Sequence, residues 1–376
     1  MTGRGHPPGA APGGGLPAGA VTGPGLPAAV PGPAAAHGPA GTVTGRGHPS
    51  ATVTDRGHPA GAAPGGGLPA GPVVALDLGG TKIAAALVAA DGRIAARLTR
   101  PTPARSGADA VLDALADAAR AVSAGAKPVA VGVASAGVID PWTGTVTSAT
   151  DSLTGWAGTA LGPGLANRTG LPVACDNDVR AAAGPELASM GPGASLLFAA
   201  IGTGVGGAVA AGGRMLHGAA GIAGHLGHLP SPEAGDLPCT CGGTGHLEVI
   251  ASGPAVTALY ERLSGRRAER LESVAALAAG GDAHAVRAIT TGAAAAGRVL
   301  GGLANAIGPD RVVVGGGVPG IGPLYRDALD AAFAAELMPP LLGLRPAPPA
   351  FGHDAAVTGA AALPRTLPLH HPGALR

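Results

Sequence analysis

The chain has 376 residues and a formal net charge of +1, with 24 Lys+Arg against 23 Asp+Glu. So even a balance gives no electrostatic pull toward nucleic acid or an anionic membrane, and 2% aromatic residues leave little for bases to stack on. Three cysteines cannot build a disulfide framework. Two of them, Cys239 and Cys241, are one residue apart, which in a reducing cytosol points to a metal site.

The N-terminus MTGRGHPPG lacks the apolar run of a secretory signal. The uncharged stretch 187–213 is broken by glycines and a proline, so it reads as strand, turn and strand rather than a membrane span. A cytoplasmic location is expected. Residues 1–71 carry GAAPGGGLPAG twice and RGHP three times. With few large apolar side chains to offset ordering entropy, this Pro/Gly-rich tail is expected to be disordered.

From residue 72 the pattern changes. VVALDLGGTKIAAALVAADGRIAARLTRP predicts strand, tight turn, strand, an Asp91-Gly92 hairpin turn and a third strand. Residues 108–124 have helical spacing, 128–135 read as a strand, and a late strand at 312–314 runs into the turn Gly315, Gly316, Gly317. A helix is expected around 322–337, and the chain closes with HDAAVTGAAAL. Strands alternating with helices, with glycine turns at strand ends, indicate an α/β architecture. There is no GxxxxGK[ST] loop.

Three groups of residues carry chemistry. In DLGGTK, Asp77 ends a strand where a carboxylate can hold Mg²⁺. Gly79 and Gly80 expose backbone N–H groups, and Thr81 and Lys82 add a hydroxyl and an ammonium suited to phosphate oxygens. A second glycine turn, IGTGVGGAV, fits GxGxxG formally, but a return strand rather than a helix is expected after it. Gly202, Thr203 and Gly204 are therefore read as a second phosphate hairpin and not a dinucleotide site. Asp176, Asn177 and Asp178 lie at a strand-to-helix junction, where one of them can be an N-cap. A carboxylate there can also accept the proton of an attacking hydroxyl, with an adjacent amide on neighbouring hydroxyls. The third group, His228, Cys239, Cys241 and His246, has the spacing H-x10-C-x-C-x4-H and suits closed tetrahedral Zn²⁺, with His225 as an alternative fourth ligand.

In this order the blocks DLGGTK, SLTGW, DNDVRAAAGPE, GTGVGG, GHLGH…CTCGGTGHLE and VVVGGGVPG resemble the ROK family of sugar kinases and repressors, over about residues 73–363. The resemblance implies a two-domain, actin-like ATPase fold with sugar and ATP in a cleft. Its expected divisions are a tail over 1–71, an α/β domain over 72–178, a larger α/β domain over 179–353 and a returning C-terminal helix over 354–376. It implies Asp178 as general base, and Asn177, Ser152, His225, His228 and Glu248 as sugar contacts. Asp77 and the two glycine turns become phosphate contacts, Gly315 and Gly316 the adenosine turn, and Zn²⁺ a structural ion. The implied partners are a small sugar and ATP, in a homodimer, with neither nucleic acid nor membrane.

Three departures from the family pattern bear on the substrate. His246 stands where a third zinc cysteine is usual, Ser152 replaces an asparagine, and AGHLGH places His225 where a glutamate is usual. An imidazole can donate as well as accept. AGHLGH, EVIASG and HDAAVTGAA resemble the N-acetylmannosamine kinase subgroup, so the expected reaction is phosphorylation of the 6-hydroxyl of that sugar. Glucose phosphorylation is the alternative. A sugar-responsive repressor is disfavoured, because the 71 leading residues cannot build a helix-turn-helix and DLGGTK is intact.

Overall fold

The structure, a computed structural model, describes residues 68–373. The tail expected over 1–71 lies, apart from its last four residues, outside the described residues.

Strand β1 (Val73–Leu78) is apolar except at Asp77 and is buried along nearly its whole length. It pairs antiparallel with β2 (Lys82–Val88), which pairs antiparallel with β3 (Ile94–Pro101) beyond a turn where Arg93 N donates to Asp91 Oδ1. Helix α1 (Ala108–Val122) buries Val111, Leu112, Leu115, Ala119 and Val122, the stripe that its spacing predicts. Next come β4 (Ala130–Ser135), a small hairpin of β5 (Val138–Asp140) and β6 (Thr145–Ser148), helix α2 (Leu161–Thr169) and β7 (Val173–Asn177). The first sheet has the order β3-β2-β1-β4-β7, with β1, β4 and β7 parallel.

Helix α3 (Asp178–Ser189) leads to a second sheet built the same way. Strands β8 (Leu196–Ile201), β9 (Val205–Ala211) and β10 (Arg214–Met215) are antiparallel neighbours, and β11 (Arg311–Gly315) and β12 (Pro346–Ala347) continue in parallel beyond β8. The strand order is β10-β9-β8-β11-β12. The two glycine turns, β1 to β2 and β8 to β9, thus hold equivalent positions in the two sheets. The second half of the chain supplies helices α4 (Glu248–Ala251), α5 (Gly253–Ser264), α6 (Leu271–Ala279), α7 (Ala283–Ile307) and α8 (Pro323–Glu336). Their apolar faces share one core with β8 and β11, anchored by Tyr260, Tyr325 and Phe333. Helix α9 (Ala355–Thr366) returns to pack on β4, β1 and β7 and against α3. Among the described residues no helix is long and apolar enough to cross a membrane.

Candidate active site

Ligands of parallel sheets gather at the carboxyl ends of the strands, and the polar residues singled out from sequence lie there. Asp77 on β1, Ala134 on β4 and Asp176 on β7 are in register across the first sheet. The turn after Asp77 is closed by Gly79 N donating to Lys82 O at 3.0 Å and by Thr102 Oγ1 donating to Gly79 O at 2.8 Å. Thr81 and Lys82 are exposed, and Ser152 lies over Gly80. The SLTGW block therefore meets the first glycine turn.

The second turn is tighter. Gly202 N donates to Gly204 O at 2.9 Å, and Gly253 N, opening α5, donates to Gly202 O at 2.8 Å. Val205 N donates to Glu248 Oε2 at 2.9 Å. A Cβ on Gly204 would lie 2.7 Å from that same oxygen, so a side chain there would have to displace the Glu248 carboxylate from Val205 N. Return strand β9 follows, as expected, rather than the helix of a dinucleotide site. Gly316, with φ +93°, comes against the backbone of Ile201 at the start of this turn, which brings the Gly315-Gly316 segment to the second glycine turn.

Asn177 and Asp178 divide the junction between β7 and α3. Asn177 is the N-cap, its Oδ1 accepting from Val179 N at 3.0 Å and Arg180 N at 3.1 Å. Its Nδ2 donates to Gly137 O at 3.0 Å and to Asp178 Oδ1 at 2.8 Å. That amide therefore fixes the neighbouring carboxylate. Burial, and then the negative charge of Asp77, push the Asp178 pKa up to about 7. Burial also raises the pKa of Asp77, against the pull of Lys82.

The ligand atoms of His228, Cys239, Cys241 and His246 lie within 4.8 Å of one another. Cys239 Sγ is 3.5 Å from His228 Nδ1, and Cys241 Sγ is 3.2 Å from His246 Nδ1. Two sulfurs and two imidazoles at such separations fit the edges of a tetrahedral zinc site. The group contains His246 and not His225. The loop is folded for this. Cys239 N donates to Gly243 O at 2.8 Å, and Leu247 N donates to Leu229 O at 2.8 Å, which draws both ends together.

Comparison with known proteins matches the ROK family model over residues 73–366. The chain belongs to the ROK family. It is 35% identical over 294 residues to a protein from Shigella flexneri named N-acetylmannosamine kinase, covering 77% of this chain and 97% of that relative. Among solved structures it resembles the ROK hexokinase of Thermus thermophilus, at 34% identity and a TM-score of 0.68, over 78% of this chain and 97% of the other. It also resembles a ROK glucokinase from Streptomyces griseus in complex with glucose and AMPPNP, at 30% identity and a TM-score of 0.66, over 78% and 99%. The duplicated sheets are those of the actin-like ATPase fold expected from the sequence.

Within this ROK chain, His225 opens the one-turn helix over Leu226–His228. Its Nδ1 is 3.0 Å from Ile222 O. A carbonyl only accepts, so Nδ1 carries the hydrogen and Nε2 of the neutral ring is an acceptor. Burial, and then the charge of Arg180, lower the pKa and favour that neutral ring. The donor role that the residue type suggested is thus taken up inside the loop.

Two residues of the site carried no signal in the sequence. Arg180, in the first turn of α3, is fully buried, and His217 lies just beyond β10. Both bond to Asp176. An arginine in an alanine-rich helix and a lone histidine are ordinary surface residues until the fold encloses them.

Proposed function

We propose that this chain transfers the γ-phosphoryl group of ATP to the 6-hydroxyl of a hexose, and that N-acetyl-D-mannosamine is the preferred hexose. The observation that carries the reading is Asp178, a carboxylate oriented by Asn177 with its pKa raised to about 7, beside two equivalent glycine turns. A base of that pKa is half ionised at neutral pH and strong enough to accept a hydroxyl proton as the new bond forms. The sugar 6-oxygen attacks the γ-phosphorus as its proton passes to Asp178. The bond to the bridging oxygen breaks, and ADP departs with that electron pair. Phosphoryl transfer asks mainly for positioning and charge stabilisation. Gly79, Gly80, Thr81 and Lys82 on one side, and Gly202, Thr203 and Gly204 on the other, supply N–H groups, hydroxyls and an ammonium for this. Gly315 and Gly316 take the adenosine end. Asp77, a partly buried carboxylate next to Lys82, fits Mg²⁺, which when bound would neutralise charge on the phosphate oxygens.

The sugar side is read from Ser152, Asn177, His225, His228 and Glu248. One Glu248 oxygen holds Val205 N, and the other lies 3.4 Å from Thr240 Oγ1, so its carboxylate joins the sugar side to the second phosphate turn. A glutamate at position 225 would offer two acceptor oxygens, suited to the C1 and C2 hydroxyls of glucose. Nε2 of His225 offers one, and N-acetylmannosamine has an acetamido group at C2 instead of a hydroxyl. The name of the Shigella flexneri relative agrees with this reading.

An ADP-release assay across glucose, mannose, N-acetylmannosamine and N-acetylglucosamine tests it. Losing one matched buried hydrogen bond typically costs about 1–3 kcal/mol, so kcat/KM should favour N-acetylmannosamine over glucose by roughly ten- to hundredfold. His225→Glu should move preference toward glucose. A tenfold preference of the wild type for glucose would replace this reading with the glucokinase one, which the Streptomyces griseus neighbour favours. Turnover of no hexose would overturn both. The homodimer belongs to the same proposal, and sedimentation at micromolar concentration decides it.

A further inference from the structure

A buried ion pair lies behind the sugar loop. The Asp176 side chain is 3% exposed and that of Arg180 is 0% exposed, so the pair is out of water. Asp176 Oδ1 accepts from Arg180 Nε at 2.7 Å and from Asn177 N at 2.7 Å, and Oδ2 lies 2.8 Å from His217 Nε2. Burial alone would raise the Asp176 pKa, but His217 and Arg180 together hold it below the usual carboxylate range. Removing two charges from water is costly unless every donor finds an acceptor. Here the guanidinium does find them. Its Nη1 donates to Gly221 O at 2.9 Å and Ala223 O at 3.2 Å, and its Nη2 donates to Ile139 O at 3.1 Å.

The two carbonyls held by Nη1 flank Ile222, whose own carbonyl receives the Nδ1 hydrogen of His225. At Gly221, with φ +69°, a Cβ would lie 2.6 Å from Ile139 O, so the loop sits directly on strand β5. At the other end of the loop, the His217 ring meets Trp142 edge-on at 5.2 Å between centroids. The loop is thus fixed at His217 by Asp176 and at Gly221 and Ala223 by Arg180.

From this chain of contacts we infer that Arg180, paired with Asp176, is a positioning residue that sets the orientation of His225 and so the selectivity for the sugar. It rests on the substrate reading above, which uses His225, and adds Arg180 and Asp176 behind it. The Arg180 side chain is fully buried with its donors turned to Asp176 and the loop carbonyls, so its effect on the sugar passes through His225. It fixes the carbonyl that decides which imidazole nitrogen faces the ligand. Lysine keeps the charge but carries its donors on one nitrogen, and a point donor cannot reach acceptors spread along a guanidinium fork.

Arg180→Lys is the first test. The KM for N-acetylmannosamine should rise about tenfold or more, and the preference over glucose should fall by a similar factor. The KM for ATP should stay within about twofold. Hydrogen exchange in the unliganded protein should quicken over 216–225 while α5 and α7 keep their protection. Arg180→Gln combined with Asp176→Asn removes both charges, leaves neither buried alone, and should shift the same readouts in the same direction if the lysine variant folds poorly. His217→Gln, which loosens only one end of the loop, should give a smaller shift. Unchanged sugar KM and unchanged exchange in a folded variant overturn the inference, as does a fall in kcat with sugar preference intact. If the wild type phosphorylates no hexose, the substrate reading falls, and exchange over 216–225 still decides whether Arg180 holds the loop.

Discussion

Asp178→Asn is expected to lower kcat by about 10²–10⁴-fold, the usual contribution of a general base, while making the protein more stable at pH 8. The substitution keeps the local structure. An asparagine Oδ1 can still accept from Asn177 Nδ2 and Val179 N, now at 2.8 and 2.9 Å. What it removes is a charge that the site disfavours. The Asp178 pKa is lifted from the ordinary 3.8 to about 7, so the folded protein holds this proton more tightly than the unfolded chain. Below about pH 4 both states are protonated and the carboxyl costs nothing. Between pH 4 and 7 the unfolded chain ionises freely and the folded one does not, so the wild type loses stability as pH rises. Above about 7 the full difference is present, of the order of a few kcal/mol. Asparagine avoids it, and its Tm should exceed the wild type's at pH 8 and match it near pH 4. With free sugar and ATP, wild-type kcat/KM should rise with pH to a plateau above about 7, and this limb should vanish in the variant. Near-normal turnover of folded Asp178→Asn would end the assignment, and a Tm below the wild type's at pH 8 would show that the carboxylate is not strained.

Which parts of this site could be read in advance depended on how local their physics is. DLGGTK was legible because strand, glycine turn and return strand are adjacent in the chain, and the observed β1 and β2 border it closely. The Asp176-Asn177-Asp178 junction was legible for the same reason, since a cap acts within three residues. The zinc loop was legible because ligand chemistry limits spacing, although only the folded loop separates His246 from His225. In the helical half of the second lobe only α8 was legible, as the helix expected around 322–337. In α7, alanine and glycine dominate 25 residues, so period and polarity give little contrast, and the helix is set by packing against α8 and α5. The hairpin of β5 and β6 was also hidden, because its strands are three and four residues long. Arg180 was hidden most fully. Its carbonyl partners lie 41 and 43 positions away, two on the loop at Gly221 and Ala223 and one on β5 at Ile139, and nothing near it in the chain signals burial. Glu248 is a milder case: the resemblance singled it out as an expected sugar contact, but its bond to Val205 across the glycine turn was not legible.

Zinc is the second large effect. Purified protein should carry about one Zn²⁺ per chain, as a four-ligand site implies. Cys239→Ser should lose it and raise the sugar KM by about 10–100-fold, the range seen when a ligand's support is removed. The expected size follows from what the ion joins. His228 ends the one-turn helix that His225 opens, and His246 precedes Glu248 by two residues. Between them the chain turns through Cys239 and Cys241, joined by single bridges at Pro230 with His246 and Pro238 with Thr244. Two bridges and a few backbone bonds are weak restraint for a glycine-rich loop, because each glycine loses more freedom on ordering than any other residue. One ion held by four ligands would supply the missing restraint and couple binding to folding of the loop. Three further variants separate the ligands. His225→Ala should keep its zinc, because Nδ1 of that ring is bonded to Ile222 and the residue lies outside the cluster. His246→Ala should lose zinc, and His246→Cys should retain it, because thiolate and imidazole are both competent. Retention in His246→Ala with loss in His225→Ala would exchange the fourth ligand. A metal-free wild type with full activity and an unchanged sugar KM would remove zinc from the site altogether.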